Sequence, residues 1–205
     1  MKSDIIIFDL DGTLLDSSDG ILFSLKHVTS IYAPEYLSFI KTARIGPPIV
    51  KLLGDFIKNK NVIALLSKEF RLHYDEIGML KTKLFPGVYN GLKDLSSSKR
   101  LYISTNKPKK VSLTILDNLG IRSFFSSVYA TNIGKYKEKK DIVEEIIFKN
   151  VGSRGTVAGD SLDDYKSALS NGLDFVYCSY GYGKIDDDVK CVHDAKELFS
   201  YLKYS

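Results

Sequence analysis

The chain has 205 residues, of which 44% are hydrophobic and 26% are charged, and its formal net charge is +4 at pH 7. This composition supports a sizeable hydrophobic core and excludes an intrinsically disordered chain. The positive charge is mild and forms no long basic run, so we predict no nucleic-acid partner and favour a small anion.

The sequence predicts no membrane segment and no secretory signal, because no apolar run approaches the roughly 18 residues of a membrane span. Two cysteines, Cys178 and Cys191, have no histidine or further cysteine at metal-binding spacing. This pattern is typical of a reduced, cytoplasmic protein. A monomer and a homodimer both remain open.

The first predicted element is a short buried strand that ends in two carboxylates. Residues 5–8 are four consecutive apolar residues, too few for a helix and typical of a strand buried on both faces. Asp9 and Asp11 follow at once, and Gly12 marks a turn. Paired carboxylates at the end of a buried strand repel each other and lose hydration, so they need a cation or a shared proton nearby. A simple Asx-type turn is the alternative interpretation.

The next segment, from Asp19 to about Lys83, is predicted to be a small helical bundle. Its apolar residues recur at spacings of three and four, and it contains no convincing strand. Pro34 and the pair Pro47 and Pro48 divide the segment into short helices.

From residue 85 onwards, predicted strands alternate with predicted helices, which indicates a parallel sheet with helices on both faces. The predicted strands are 101–104, 128–130, 156–158 and 175–178, and the predicted helices are 108–118, 141–149, 163–170 and 195–201.

The spacing of the first two strands of this sheet predicts an insertion. A strand–helix–strand unit needs roughly 30 residues, whereas Asp9 and Thr105 lie 96 positions apart. The surplus matches the helical segment. We therefore predict an α/β, Rossmann-like core formed by residues 1–15 and 84–205, with a helical cap at residues 16–83.

Three of the predicted strands end in polar side chains, and ligands bind at the carboxyl ends of parallel strands. Asp9 and Asp11 end the first strand, residues 104–107 end the second, and Asp160 ends a later one, with Asp164 close behind. Helix capping accounts for any one of these endings, but it does not account for all three.

These endings resemble the motifs of the haloacid dehalogenase superfamily. Residues 5–16 resemble its first motif, an aliphatic run followed by Asp-x-Asp-Gly-Thr. Residues 101–107 resemble the second motif, and residues 157–164 resemble the fourth, Gly-Asp-x-x-x-Asp. The stretch 85–88, where the chain returns from the predicted cap to the core, is similar to the same junction in phosphoglycolate phosphatase-like members with a helical cap, and the stretch 45–48 is similar to a stretch within their cap.

The third motif of the superfamily supplies a lysine, and here the common Lys-Pro pair is missing. Two lysines fit the position relative to Asp141, which opens the following predicted helix. Lys139 stands two residues before this acid, as in some relatives, and Lys137 stands four before it, as in the Lys-Pro version. We favour Lys139 and keep Lys137 as the alternative.

The resemblance implies a Mg²⁺-dependent phosphatase that works through an aspartyl-phosphate intermediate. Asp9 would be the nucleophile and Asp11 the general acid and base, and the carboxylate at the latter position argues against a dehalogenase. The implied catalytic residues are Asp9, Asp11, Thr105 and Lys139; the substrate-binding residues are Thr105, Asn106 and Arg44; the metal-binding residues are Asp9, Asp11, Asp160 and Asp164.

The implied partner is a small phosphorylated metabolite, with phosphoglycolate as one candidate. Arg44 is the cap residue that we expect to face this substrate. Two other functions remain open: a phosphomutase of the same superfamily, and a phosphate-binding regulator without turnover.

Overall fold

A computed structural model describes residues 3–41, 43, 45–130 and 138–205. The chain divides into two compact units, one formed by Met1–Asp16 together with Leu84–Ser205 and the other by Ser17–Lys83. Among the described helices, none combines the length and the apolar character that crossing a bilayer requires.

The smaller unit is helical. Its helices are α1 (Ser18–Tyr32), α2 (Leu37–Ile40), α3 (Ile49–Gly54) and α4 (Lys60–Glu76), with 3-10 helices at Pro34–Tyr36 and Gly78–Lys81. α1 packs along α4, and the buried faces of the two helices contribute Leu25, Val28, Leu66 and Phe70 to the interior of the unit. Asn59 caps α4, because its side chain accepts hydrogen bonds from the backbone N–H groups of Asn61 and Val62.

The larger unit alternates strands and helices. The strands of the chain are β1 (Ile5–Phe8), β2 (Leu15–Asp16), β3 (Lys83–Leu84), β4 (Arg100–Thr105), β5 (Ser127–Ala130), β6 (Gly155–Gly159), β7 (Asp174–Cys178) and β8 (Cys191–Val192). The helices of this unit are α5 (Val88–Leu95), α6 (Lys109–Asn118), α7 (Lys139–Phe148), α8 (Leu162–Ser170) and α9 (Ala195–Tyr204), with a 3-10 helix at Arg122–Phe124.

Six strands within the described residues form one parallel sheet in the order β5-β4-β1-β6-β7-β8, which confirms the predicted Rossmann-like α/β class. β1 lies between β4 and β6, and its four residues are fully buried. Ile5 and Ile7 pack into the cluster formed with α7 and α8, whereas the Phe8 ring lies 5.8 Å from that of Phe199 on α9. Burial on both faces explains why the strand reads as an unbroken apolar run.

Several short elements were not predicted. β2 and β3 are two residues each and pair with each other where the chain leaves and re-enters the larger unit. β8 and α5 also escaped prediction. α7 begins at Lys139, two residues before the predicted start, because Glu138 and Asp141 form a capping box at its N-terminus.

Candidate active site

Asp9 lies directly beyond the central strand β1, in the interior of the larger unit. Its backbone N–H donates to the carbonyl oxygen of Ala158 at 3.0 Å, which extends the pairing with β6 by one residue. The chain then turns at Gly12, whose φ is +84°. A side chain on Gly12 would also collide with the carboxylate of Asp160, so only glycine suits both the backbone and the space.

Lys139, the first residue of α7, makes two short contacts with carboxylates. Its Nζ lies 2.6 Å from Oδ1 of Asp9 and 2.5 Å from Oδ1 of Asp164, and its side chain is 5% exposed. Lys139, the lysine favoured from the sequence, therefore contacts Asp9, whereas the alternative, Lys137, lies outside the described residues.

A third buried carboxylate, Asp160 at the end of β6, joins this group. One carboxylate oxygen from each of Asp9, Asp160 and Asp164 lies within 4.8 Å of the others. We call these three residues the acid cluster. Asp164 is held by Ser161, whose backbone N–H and hydroxyl donate to its Oδ2 at 3.1 and 2.5 Å. The carboxylates thus have fixed positions around one point.

The electrostatics of the acid cluster favour an additional cation. Burial raises the pKa of Asp9 to about 8, and the charges of Asp164 and Asp160 add to the effect against the opposing charge of Lys139. Burial also raises the pKa of Asp160 to about 6, and Asp164 acts in the same direction. Although burial lowers the pKa of Lys139, the carboxylates of Asp164 and Asp9 hold it above its usual value. One ammonium group does not balance three crowded carboxylates.

Asp11 contacts a second buried lysine, Lys107, which was not among the predicted site residues. Nζ of Lys107 lies 3.0 Å from Oδ2 of Asp11, and the lysine side chain is only 5% exposed. The other carboxylate oxygen, Oδ1, is buried and has no hydrogen-bond partner among the described residues. Asp11 is thus oriented by a cation while one of its oxygens is left to interact with other groups.

The end of β4 lies beside these residues in the sheet. The register pairs Phe8 with Ile103, which brings Thr105 to the same edge as Asp9. Thr105 is 2% exposed, and its hydroxyl accepts a hydrogen bond from the backbone N–H of Lys107 at 3.2 Å. Asn106 is exposed at this edge. The substrate contacts expected of Thr105 and Asn106 stay predictions, and Arg44 lies outside the described residues.

Residues 180–183, Tyr-Gly-Tyr-Gly after β7, complete the surroundings of the acid cluster and were missed from the sequence. We call them the tyrosine loop. The backbone N–H groups of Tyr182 and Gly183 donate to Oδ2 of Asp160 at 2.7 and 3.0 Å. A side chain on Gly181 would collide with Asp160 and with the backbone oxygen of Gly12, so glycine permits this close approach. The available signal was two alternating glycines just after a strand of the parallel sheet.

The profile of the family described as haloacid dehalogenase-like hydrolase matches residues 6–178. The chain belongs to this family. The matched range runs from β1 to the end of β7, so it includes the helical unit and the acid cluster and stops before the tyrosine loop. The superfamily resemblance stated from the motifs is confirmed.

The chain is similar in sequence to three curated proteins that have different names. The chain is 30% identical over 187 residues to tyrosine-protein kinase PtkA of Mycobacterium tuberculosis, with 89% of this chain and 64% of that protein covered. It is 28% identical over 192 residues to phosphoglycolate phosphatase of Aquifex aeolicus, with 90% and 89% covered. It is 27% identical over 194 residues to 5'-nucleotidase of Pseudomonas aeruginosa, with 89% and 85% covered. The chain therefore spans less than two thirds of the PtkA relative.

Solved structures agree with the family assignment. The haloacid dehalogenase-like hydrolase SP0104 from Streptococcus pneumoniae is 26% identical and superimposes with a TM-score of 0.81 over 97% of this chain and 98% of that one. PtkA of Mycobacterium tuberculosis is 28% identical, with a TM-score of 0.83 over 98% of each chain.

Proposed function

We propose that this chain hydrolyses the phosphate monoester of a small metabolite through an aspartyl-phosphate intermediate. The observation that carries the proposal is the buried carboxylate of Asp9 at the carboxyl end of the central strand, 2.6 Å from Nζ of Lys139. Similarity to proteins named phosphoglycolate phosphatase and 5'-nucleotidase supports phosphate esters as the substrate class. Phosphoglycolate is one candidate substrate.

The proposed reaction has two steps that share one pair of aspartates. Asp9 attacks the phosphorus atom and the ester P–O bond breaks, while Asp11 gives its proton to the departing oxygen. A water molecule then attacks the aspartyl-phosphate, Asp11 takes a proton from it, and phosphate leaves as Asp9 is regenerated. Lys107 holds the Asp11 carboxylate in place during both steps, and Lys139 offsets the negative charge that gathers at Asp9.

Thr105 and Asn106 are proposed to bind the phosphoryl group and the rest of the substrate. The hydroxyl of Thr105 accepts from the N–H of Lys107, which leaves its own proton to be donated to a phosphoryl oxygen. Asn106 is exposed at the edge of the sheet and offers an amide to the substrate.

The residues of the acid cluster fit Mg²⁺, which prefers hard oxygen ligands and is usually held by one or two carboxylates together with water molecules. Asp9, Asp160 and the backbone carbonyl of Asp11 would hold the ion, and Asp164 would support its water shell. The excess of carboxylates over ammonium groups supports a resident cation. When bound, the ion supplies positive charge that lowers the repulsion between the nucleophile and the phosphate dianion.

Residues 16–83 are proposed to act as a cap that recognises the leaving group. The order of the two units along the chain supports this role, because a helical unit interrupts the α/β unit directly after β1 and its turn. Arg44 remains our candidate for the cap residue that binds the substrate anion.

A screen of phosphorylated metabolites tests the proposed function. With Mg²⁺ present, we expect the wild-type chain to release inorganic phosphate from at least one small phosphate ester and from p-nitrophenyl phosphate. Excess EDTA should stop the release, and Ca²⁺ should inhibit it because its looser coordination spoils the in-line geometry. Undiminished release in EDTA would exclude the metal, and no release from any ester would exclude the phosphatase.

Asp160→Asn tests the metal without relying on turnover. Saturating Mg²⁺ should raise the melting temperature of the wild-type chain by roughly 5–10 °C, because a ligand that binds only the folded state stabilises it. The asparagine keeps an acceptor for the tyrosine loop but lacks the negative charge, so this rise should disappear. Asp163→Asn, a change at an exposed neighbour, is the control and should melt like the wild type. An equal rise in Asp160→Asn would contradict the assignment of Asp160 to the metal.

Transfer to tyrosine is a second candidate, favoured by the 30% identity to proteins named tyrosine-protein kinase PtkA. The aspartyl-phosphate of Asp9 is the same in both cases, and only the acceptor hydroxyl differs. Labelled ATP and a tyrosine-containing peptide distinguish the two: a kinase labels the peptide, whereas a phosphatase releases free phosphate. A phosphomutase would instead return the phosphoryl group to its substrate at another position.

A further inference from the structure

The tyrosine loop makes polar contacts in two directions from one short stretch of chain. Through the backbone, Tyr182 and Gly183 donate two N–H groups to Oδ2 of Asp160. Through its side chain, Tyr182 donates its hydroxyl to Oδ1 of Asp16 at 3.0 Å. A single residue thus contacts both the acid cluster and the segment that leads into the helical unit.

The backbone contacts fix one oxygen of Asp160. Two N–H donors on Oδ2 set the orientation of the carboxylate, and this orientation determines where its second oxygen points. The loop comes this close because Gly181 and Gly183 have no side chains, which would collide with Asp160. Any shift of the loop therefore moves the donors on which the position of this carboxylate depends.

The side chains of the tyrosine loop contact both of the segments that connect the two units. Asp16 is the last residue of β2, and Ser17 begins the helical unit. The hydroxyl of Tyr180 donates to the backbone oxygen of Thr13 at 2.8 Å, on the same outgoing connection. On the returning connection, the ring of Phe85 meets that of Tyr180 edge to face at 5.0 Å.

The two connections are also bonded to each other. The backbone N–H of Phe85 donates to the carbonyl oxygen of Leu14 at 3.1 Å, and β2 pairs with β3. Residues 13–16 and 84–85, which we call the linker pair, therefore form one local structure. The tyrosine loop contacts this structure through both of its tyrosines.

We propose that the tyrosine loop couples the linker pair to the proposed metal carboxylate, with Tyr182 as a positioning residue for both Asp160 and Asp16. The inference rests on the proposed function only in taking Asp160 as a Mg²⁺ ligand. Groups that orient a metal ligand typically change metal affinity when they are removed. Coupling between two sites is reciprocal, so Mg²⁺ bound at Asp160 must also order the linker pair.

The first measurement is the affinity for Mg²⁺ by calorimetry. Tyr182→Phe keeps the backbone donors and the ring but removes the hydroxyl from Asp16, and we expect it to weaken Mg²⁺ binding by on the order of tenfold. Asp16→Ala should weaken it similarly, and the double variant should be little worse than either single one, because both changes break the same contact. Asp16→Asn keeps an acceptor for the hydroxyl and should restore most of the affinity.

The second measurement is hydrogen exchange at the backbone amide of Phe85, which lies in the linker pair and is not a proposed metal ligand. Mg²⁺ should slow this exchange in the wild-type chain, and the effect should be lost in Tyr182→Phe. Tyr102→Phe is the matched control, since it also removes a tyrosine hydroxyl, one that donates to Oδ1 of Asn150 at 2.9 Å. This control should retain both the Mg²⁺ affinity and the protection of Phe85.

Kinetics provide a readout that a purely structural role would not move. Tyr182→Phe should require about tenfold more Mg²⁺ for half-maximal rate, while its rate at saturating Mg²⁺ stays near that of the wild type.

Three outcomes overturn the coupling, and they differ in what they say of the proposed function. If the wild-type chain binds Mg²⁺ and releases phosphate but Tyr182→Phe matches it in affinity and in Phe85 exchange, the coupling is wrong and the proposed function stands. If the wild-type chain binds no Mg²⁺, the metal scheme and the coupling fail together. Equal losses in Tyr102→Phe and Tyr182→Phe would also overturn the specific role of the tyrosine loop.

Discussion

Replacing Asp9 with asparagine is expected to reduce turnover by on the order of 10⁴-fold or more, because the amide cannot form the aspartyl-phosphate. The fold should survive the change. Burial raises the pKa of Asp9 to about 8, because the interior of the folded chain opposes the charged form of this carboxylate. A neutral side chain of the same shape carries no such charge, and the melting temperature in metal-free buffer should equal or exceed that of the wild type.

Turnover of Asp9→Asn is measured as phosphate release at saturating Mg²⁺, with Asp163→Asn as the control for an amide change at an exposed aspartate. Beryllium fluoride, which mimics a phosphoryl group on a carboxylate, should stabilise the wild-type chain and leave Asp9→Asn unaffected. Residual activity within about tenfold of the wild type would remove Asp9 from the role of nucleophile.

Lys139→Met is expected to have the largest effect on stability. The lysine contacts Asp9 and Asp164 at 2.6 and 2.5 Å, and its removal leaves two buried carboxylates without their cation. Breaking a buried ion pair by deleting one partner costs about 3–5 kcal/mol. Chemical denaturation above about pH 8 in metal-free buffer should show a fall of this size in the free energy of unfolding, because Asp9 is then charged, and phosphate release should be lost as well.

The loss in Lys139→Met should depend on pH with a defined sign. The pKa of Asp9 is already above its ordinary value with the lysine in place, and it rises further without it. A carboxyl group with a raised folded-state pKa favours the folded state below its unfolded pKa, and this contribution is lost as the pH rises through the folded value. The destabilisation should therefore be small near the ordinary carboxyl range and largest above about pH 8.

Two variants make the test of Lys139 specific. Lys140→Met removes the neighbouring lysine, which is exposed and pairs with Glu138 on the surface, and should leave the melting temperature close to that of the wild type. The double variant of Asp9→Asn with Lys139→Met should recover part of the lost stability, since only one of the two contacted carboxylates remains charged. Strictly additive losses would argue that the lysine does not act through Asp9.

The fold class and the acid cluster were predictable because their signals are local. A strand buried on both faces must be apolar throughout, and residues 5–8 show this directly. Carboxylates that follow such a strand stand out, because buried acids need a partner. The parallel order of the strands then brings Asp9 and Asp160 to one edge, since β1 and β6 are neighbours in the sheet.

The remaining features depend on contacts between distant parts of the chain. Lys107 follows Thr105 in a polar stretch, and nothing in that stretch indicates that its ammonium group is buried against Asp11. The tyrosine loop binds Asp160 through backbone N–H groups, which every residue type except proline possesses, so only its two glycines, which permit the close approach, carry a sequence signal. β2, β3 and β8 are two residues long, too short for an alternating pattern to be recognised.

The central place of β1 in the sheet has a consequence for how the chain folds. Ile5 pairs with Arg100 on one side and with Gly155 on the other, partners roughly 95 and 150 positions away in sequence. Contacts of such long range form late, because closing the long intervening loops costs chain entropy before the contacts stabilise the chain. During synthesis the ribosome releases the apolar segment 5–8 long before β4 and β6 have been made. In contrast, α1 and α4 are near each other in sequence and can pack together once that local stretch has been made. The nascent chain therefore exposes this apolar, aggregation-prone segment without a partner until β4 has been made, and with only one partner until β6 has been made.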